Sequence, residues 1–517
     1  MPIRKSLRWL GWGLFALLVL VISGVLLADR LMPRATGAPS TALPLQAAQT
    51  PIDRELAPRL QAHPGKTGVL VIPGGLEAFA ARASSARASG RSLDLQYYMW
   101  HDDLVGGLLG REVYAAAERG VRVRLLLDDI NTKGLDPALM VLDAHPNIEI
   151  RLYNPFRNRS GLKRLREMAQ RFFSINRRMH NKAWIADGRV AVVGGRNIGD
   201  EYFDAHANVN FRDLDLLLAG PAAADASALF DRYWNSEAVV PIAALGEADP
   251  AALQAYIAGL DDAAKSAQAK RYLQRVWRSP LLGIPWDTHI HWSDGVRVVA
   301  DPVRKRGDGG DDWLVNQLIA QLATTEQEAL LISPYFVPGD EGTDGLAGLV
   351  RKGAQVGVVT NSLAANDVPA VHSGYARYRE RLLAGGVRLY EIRRSGPPAA
   401  SSLFGSSGAS LHTKAFVVDG RRGFVGSFNL DPRSAELNTE MGVLFDDAEL
   451  GASVRREYER LITPALSYRL LRDDDGRLVW LDETSRPPLR LDREPDAGPM
   501  LRATARVLGW LPIESQL

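Results

Sequence analysis

Two stretches of the chain repeat one chemical pattern. His180, Lys182, Asp187, Gly194-Gly195 and Asn197 recur as His412, Lys414, Asp419, Gly426-Ser427 and Asn429. Both copies read His-x-Lys-x4-Asp-x6-Gly-(Gly/Ser)-x-Asn, and the spacing agrees at every position. Such a match arises by chance about once in a few million starting points, so two copies mark a duplication. In extended backbone, residues i and i+2 face the same side, so each His-x-Lys presents an imidazole and an ammonium group together. Bringing the copies together would gather two imidazoles and two ammonium groups around one cavity, a set suited to a phosphodiester. The lysines would hold the non-bridging oxygens and offset charge developing in the transition state. Asn197, Asn429, Gly195 and Ser427 would add hydrogen-bond donors to the phosphate. One neutral imidazole would attack phosphorus and the other, protonated, would donate to the leaving alkoxide. That scheme requires no metal or other cofactor. His289 and His291 form a His-x-His pair, but no further ligand cluster stands near them in the sequence, and they read as structural.

The elements that must position these residues repeat as well. Strand-like runs at residues 92–100, 119–129 and 147–156 precede the first motif, and runs at 329–338, 352–363 and 385–394 precede the second. Strand-like runs alternate with helical stretches in both halves. The pattern predicts an α/β fold of two similar lobes, each a mixed, mostly parallel sheet flanked by helices, related by a pseudo-two-fold axis. An active site on that axis would take one motif from each lobe.

The chain divides further. Residues 10–28 hold no charge and approach the length that crosses a bilayer's roughly 30 Å hydrocarbon core. Arg4, Lys5 and Arg8 precede them, which predicts one N-terminal transmembrane helix with the N-terminus in the cytoplasm and the catalytic part outside, in a Gram-negative cell the periplasm. A cleaved signal segment is the alternative; the length favours an anchor, and both export the enzyme. The predicted organisation is an anchor over 1–31, a linker over 32–64, the first lobe over 65–240, a helical connector over 241–295, the second lobe over 296–467, and a hairpin with an amphipathic segment over 468–517. Residues 161–179 and 500–512 mix cations with large apolar side chains and suit a membrane surface. Each reads equally well as a helix belonging to the soluble fold.

Composition excludes other classes. With no cysteine there is no disulfide, thiolate site or cysteine nucleophile. A formal net charge of +2 lacks the basic excess of a dedicated nucleic-acid binder.

The duplicated motif resembles the signature of the phospholipase D superfamily, over nearly the whole chain beyond residue 64. Within it, residues 93–103, 122–129, 177–203, 360–379 and 407–442 resemble bacterial cardiolipin synthases of the C type. The resemblance implies a metal-independent double displacement with His180 as nucleophile and His412 as general acid. It implies that Asp213 and Glu440, some thirty positions downstream of the motifs, orient the histidines through Nδ1. Asp187 and Asp419 enter the catalytic set as motif members, with a structural role at the strand ends the stronger reading for both. The implied reaction moves a phosphatidyl group onto phosphatidylglycerol, from a second phosphatidylglycerol or from phosphatidylethanolamine, at a bacterial inner membrane, with room for an accessory subunit. Better-known cardiolipin synthases carry two N-terminal membrane segments where this chain shows one. The rival readings are a phospholipase D that passes the same intermediate to water, a nucleic-acid phosphodiesterase, and an inactive membrane scaffold. Near-neutral charge and an anchor disfavour the second, and the retention of both histidines and both lysines disfavours the third.

Overall fold

A computed structural model describes residues 37–132, 134–171, 174–247, 249, 251–279, 289–305, 310, 312–394 and 410–517, together with Trp12. The predicted anchor lies outside the described residues apart from Trp12. Among the described residues no helix is long and apolar enough to cross a membrane.

The apolar runs form two sheets. The first holds β1 (Thr67–Ile72), β2 (Ser92–Tyr97), β3 (Arg122–Asp128), β4 (Ile148–Tyr153), β5 (Ala183–Ala186), β6 (Val190–Gly194), β7 (Asp215–Ala219), β8 (Val239–Pro241) and β9 (His291–Ser293). Their order is β8-β4-β3-β2-β5-β6-β7-β1-β9. The second holds β10 (Val296–Ala300), β11 (Glu328–Ile332), β12 (Gln355–Asn361), β13 (Arg388–Ile392), β14 (Ala415–Val418), β15 (Arg422–Gly426), β16 (Met441–Asp446), β17 (Ser467–Arg472), β18 (Leu478–Asp482) and β19 (Leu489–Leu491). Their order is β10-β16-β15-β14-β11-β12-β13-β17-β18-β19. The run from β4 to β1 and the run from β13 to β10 have the same order, so the internal repeat is a repeat of topology.

The expected mostly parallel sheets are not observed. Only β2–β3 and β3–β4 are parallel in the first sheet, and only β11–β12 and β12–β13 in the second. All other neighbours run antiparallel. The cause lies in the turns. Asp187-Gly188 and Asp419-Gly420 have positive φ at both residues, the conformation that closes a tight hairpin, and a tight hairpin joins only antiparallel neighbours.

Helices α2 (Gly75–Ala88) and α3 (Leu104–Glu118) bury their apolar faces with Leu93, Val123 and Ile150 in a core that also takes Ile52 and Leu56 from the predicted linker and Tyr272 and Val276 from the predicted connector. A second core lies on the far side of the second sheet, around Leu331, Val356 and Leu389. The third core joins the lobes. It mixes Val69, Ile185 and Leu216 of the first sheet with Leu330, Val417 and Val443 of the second. Equivalent helices α5 (Pro221–Trp234) and α7 (Ala448–Leu461) contribute Phe230, Trp234, Val454 and Tyr458 to it. Burial drives this union, since each sheet's inner face is apolar and would otherwise meet water.

The predicted linker contains folded structure. Helix α1 (Pro51–Ala62) starts at a capping box in which Thr50 Oγ1 accepts from Asp53 N and Asp53 accepts from Thr50 N, both at 3.1 Å. Asp53 is buried and ion-pairs with Arg91 and Arg189, which fastens the helix to the first lobe. The sequence conceals this because the segment's composition is polar and Pro-rich on both sides of the cap.

Candidate active site

The chain segments that enter β5 and β14 carry the motif histidines, and each crosses to the other lobe. His180 N donates to Thr439 O and Thr439 N donates to Arg178 O, both at 2.8 Å. The mirror pair is His412 N to Arg212 O and Arg212 N to Ser410 O, again both 2.8 Å. These are two short parallel bridges, Met179 with Thr439 and Arg212 with Leu411, and they stitch the lobes together at the site.

The side chains follow the same exchange. His180 Nδ1 lies 2.8 Å from Glu440 Oε2 of the second lobe, and His412 Nδ1 lies 2.6 Å from Asp213 Oδ2 of the first. A carboxylate on Nδ1 places the proton there and leaves Nε2 with its lone pair toward the cleft. Lys182 Nζ donates to His180 O and Lys414 Nζ to His412 O, each at 2.6 Å. One hydrogen bond leaves each ammonium with two further N–H donors for an anion. Thus the predicted His180, Lys182, His412 and Lys414 converge, and Asp213 and Glu440 stand where the resemblance implied.

Burial and crowding set the charges. Burial pushes the His180 imidazole down to about 4; Glu440 opposes this while Lys182 and Lys414 add to it. Burial, then Lys414, Lys182 and His180 itself, push His412 well below the ordinary histidine value. Lys414 falls to about 8 through burial, against the pull of Asp213 and Glu440, and burial takes Lys182 well below the ordinary lysine value. Burial would raise Glu440, but His180, Lys182 and Ser427 outweigh it and the carboxyl is held low. Asp213 is raised, burial prevailing over Lys414 and Arg196. These shifts mark a site in which ionisable cationic groups crowd one another, and a phosphate anion among them would favour their protonated forms.

The remaining motif positions make contacts of other kinds. Asp187 accepts from Gly90 N, Arg91 N (2.8 Å) and Ser92 N (3.0 Å). Asp419 likewise accepts from the backbones of Glu326, Gln327 (2.8 Å) and Glu328 (2.9 Å). Each sits five residues beyond its lysine, about 16 Å along an extended strand. Both pin the entry to a central strand and are removed from the catalytic set, where the motif had placed them. Gly195 and Ser427 face the carboxylates instead of a phosphate. A Cβ on Gly195 would stand 2.3 Å from Asp213 Oδ1, so glycine is what lets that carboxylate approach. Ser427 Oγ donates to Glu440 Oε2 at 2.5 Å and accepts from Met441 N at 3.0 Å. Asn197 commits its amide nitrogen to Tyr202 Oη at 2.9 Å, and the Oδ1 atoms of Asn197 and Asn429 are buried without a partner among the described residues. The second amide N–H of Asn197 faces Met99 Sδ at 3.7 Å, a weak contact that a phosphate oxygen could replace.

Other residues frame the site without any sequence signal. Tyr98 meets the His180 ring edge-on at 5.0 Å; Tyr202 meets His412 edge-on at 5.0 Å and Phe211 stacks on it at 5.6 Å. Asp301 Oδ2 accepts from Glu440 N (2.9 Å) and ion-pairs with Lys305 (2.8 Å), which fixes the backbone that carries Glu440. His291 pairs with Asp447 and Glu449 at the surface. The described group of metal-ligating type lies elsewhere, at His101, Asp103 and Glu201, where Asp103 already accepts from Gly106 N and Asp200 N.

Two buried imidazoles, each backed by a carboxylate from the opposite lobe and accompanied by a lysine, form a site of the histidine-dependent phosphoryl-transfer class. Comparison with known proteins agrees. Residues 83–234 and 318–462 match the family described as cardiolipin synthase, PLD-like domain. Cardiolipin synthase C of Escherichia coli (strain K12) is 39% identical over 464 residues, 88% of this chain and 98% of that protein. Cardiolipin synthase of Geobacillus kaustophilus is 27% identical over 77% of this chain and 67% of that protein. The solved structure of a phosphatidylserine synthase from Haemophilus influenzae Rd KW20 superposes with a TM-score of 0.55 at 13% identity, covering 90% of this chain and all of that one; it shares the two-lobed fold. The chain belongs to the cardiolipin synthase family of phospholipase D-like proteins.

Proposed function

We propose that the protein transfers a phosphatidyl group to phosphatidylglycerol and so makes cardiolipin. His180 Nε2 attacks the phosphorus of a donor phospholipid, and the bond from phosphorus to the headgroup oxygen breaks. His412 gives its proton to that oxygen, releasing glycerol if the donor is phosphatidylglycerol or ethanolamine if it is phosphatidylethanolamine. The phosphatidyl group is then held on His180. A hydroxyl of the acceptor phosphatidylglycerol returns a proton to His412 Nε2 as its oxygen attacks phosphorus, the P–N bond breaks, and cardiolipin leaves. One phosphodiester replaces another, so no nucleotide enters. Lys182 and Lys414 bind the non-bridging oxygens throughout, and Glu440 and Asp213 steady the imidazoles through Nδ1.

The observation that carries this reading is the reciprocal exchange of carboxylates between lobes, His180 with Glu440 and His412 with Asp213, which occupies each Nδ1 and leaves each Nε2 without a hydrogen bond among the described residues. A phosphorus atom held between the two rings would have a nucleophile on one side and a proton donor on the other. The anchor expected over residues 10–28 would keep the enzyme beside substrates that never leave the bilayer, with the catalytic part on the periplasmic side. Purified enzyme given phosphatidylglycerol alone is expected to yield cardiolipin and glycerol in equal amounts. Phosphatidic acid as the sole lipid product would make it a hydrolase and overturn the reading.

A further inference from the structure

Outside the catalytic cleft, the C-terminal helix α8 (Pro499–Leu508) packs on α6 (Pro369–Ala376), and Ser373 Oγ donates to Ala505 O at 2.8 Å. A groove of about 700 Å³ runs between them, and Arg377, Arg493, Arg502, Arg506 and Trp510 line it. Of its acidic residues, Glu494 is engaged by Arg379 (2.6 Å) and His372 (3.2 Å) and Asp492 lies 3.7 Å from Arg493, while Arg377 pairs with Glu514 outside the lining (3.1 Å), which leaves Arg502 and Arg506 without a carboxylate partner among the described residues. Arg506 has no ion pair or hydrogen bond among the described residues. The groove is therefore a positively charged recess of headgroup size.

The surface beside it is apolar and uncovered. Met500 and Val507, seven residues apart, share one face of the helix as an apolar stripe, Leu511 is exposed in the turn that follows it, and Trp510 of the same turn lines the groove. Met500 is 78% exposed and Trp510 76%. A second such stripe lies on helix α4 (Gly161–Gln170), where Leu162, Leu165 and Met168 are exposed among Lys163, Arg164 and Arg166. The segments that follow the two helices are joined, since Asn176 Nδ2 donates to Gln516 Oε1 at 2.6 Å, four residues before His180. A short connection also leads from the groove toward the other histidine. Its residue Leu363 lies two positions after Asn361, which exchanges two hydrogen bonds with Leu411, the neighbour of His412.

We propose that the groove between α6 and α8 binds the phosphate of an anionic phospholipid still seated in the bilayer, with Trp510 and the α8 stripe lying in the interface. This site is separate from the catalytic cleft and would hold the cleft's mouth against the membrane. Cations in the recess match a lipid phosphate, apolar side chains at its lip match the acyl boundary, and tryptophan favours that level. A soluble anion would have no use for the stripe. The proposal rests on the membrane-lipid substrate proposed above.

Fluorescence quenching tests it without turnover. Full-length enzyme in mixed micelles is titrated with acyl-brominated phosphatidylglycerol or acyl-brominated phosphatidylcholine, and each variant is compared with wild type because the chain holds 11 tryptophans. The expected result is extra quenching by the phosphatidylglycerol that disappears in Trp510→Phe and persists in inactive His180→Ala. In Arg502→Glu/Arg506→Glu the apparent affinity should fall about thirtyfold, the loss expected for two cations at an anionic surface. Circular dichroism checks that double variant, and if it unfolds the Trp510→Phe comparison decides. Equal quenching of wild type and Trp510→Phe overturns the proposal, as does equal quenching by the two lipids. Relief of quenching by inorganic phosphate at matched ionic strength would make the groove a free-anion site and overturn its assignment to a bilayer lipid. Cardiolipin formation, assayed separately, could fail without affecting any of these outcomes.

Discussion

The two halves of the molecule place their motifs by the same backbone exchange but support them differently. In both, a strand entry crosses to the opposite lobe and its histidine takes a carboxylate from there. Around His180, the supporting Glu440 is itself held by Ser427 Oγ and, through its backbone, by Asp301. Around His412, Asp213 presses against a bare glycine, and Tyr202 and Phe211 enclose the ring. His180, Lys182 and Ser427 hold the Glu440 carboxyl low, while burial raises Asp213. An N-phosphorylated imidazole carries positive charge and benefits from an ionised neighbour, whereas a proton donor must release its proton readily. The duplication has kept the frame and let the electrostatics diverge, which favours His180 as nucleophile and His412 as acid.

That contrast can be broken most forcefully at the rings. His180→Ala and His412→Ala should each lower phosphatidyl transfer about 10⁴-fold or more, since residues acting as a unit fail together. Circular dichroism should show both folded. Only His412→Ala should still accumulate a covalent phosphatidyl-enzyme, from a donor with an activated leaving group that needs no acid. Next come the carboxylates. Glu440→Gln should cost about 10²–10³-fold in kcat and Asp213→Asn less, because Glu440 is the more strongly supported of the two, with Ser427 Oγ on its carboxylate and Asp301 on its backbone. Equal losses would mean the halves are interchangeable. Smaller again are the supports. Gly195→Ala should displace Asp213 and cost about 10–100-fold, while Ser427→Ala, which removes one hydrogen bond to Glu440, should cost about tenfold.

The lysines sharpen the comparison through pH. Lys414, pushed down to about 8, sheds its proton as pH rises past that value, so a cation that holds the phosphate is lost. KM for phosphatidylglycerol should therefore climb above about pH 8, and Lys414→Arg, which stays charged, should flatten the climb. The least effect on chemistry belongs to the motif aspartates. Asp187→Ala and Asp419→Ala remove the acceptor of several backbone N–H groups and should cost about 1–3 kcal/mol of stability each, read by thermal melting, with the transfer rate of the folded protein unchanged.

Much of this was legible in the residues. Five exact spacings, repeated in both copies, named the four residues that converge, and the strand-like runs located β2 to β5 and β11 to β14 correctly. The sheets' antiparallel character was also written there, in Asp187-Gly188 and Asp419-Gly420 between apolar runs, but the α/β alternation upstream is the louder signal. Glu440 and Asp213 are 260 and 199 positions from their histidines, a pairing that no local pattern encodes. It was expected only from family resemblance. Tyr98, Tyr202, Phe211 and Asp301 left no mark, because ring contacts and a backbone-supporting carboxylate depend on how the lobes meet. Gly195 and Ser427 were noticed for the wrong reason. Backbone donors near a phosphate were a sound expectation, whereas making room for a carboxylate is visible only in three dimensions.

The central claim is that one phosphorus atom passes through His180. Enzyme mixed with phosphatidylglycerol labelled in its phosphate, quenched within a turnover and mapped by mass spectrometry, should carry an acid-labile, base-stable phosphatidyl adduct on the peptide containing His180. Chasing with unlabelled phosphatidylglycerol should discharge that adduct into cardiolipin. An adduct on the His412 peptide, or sustained turnover with no adduct on either, would contradict the account.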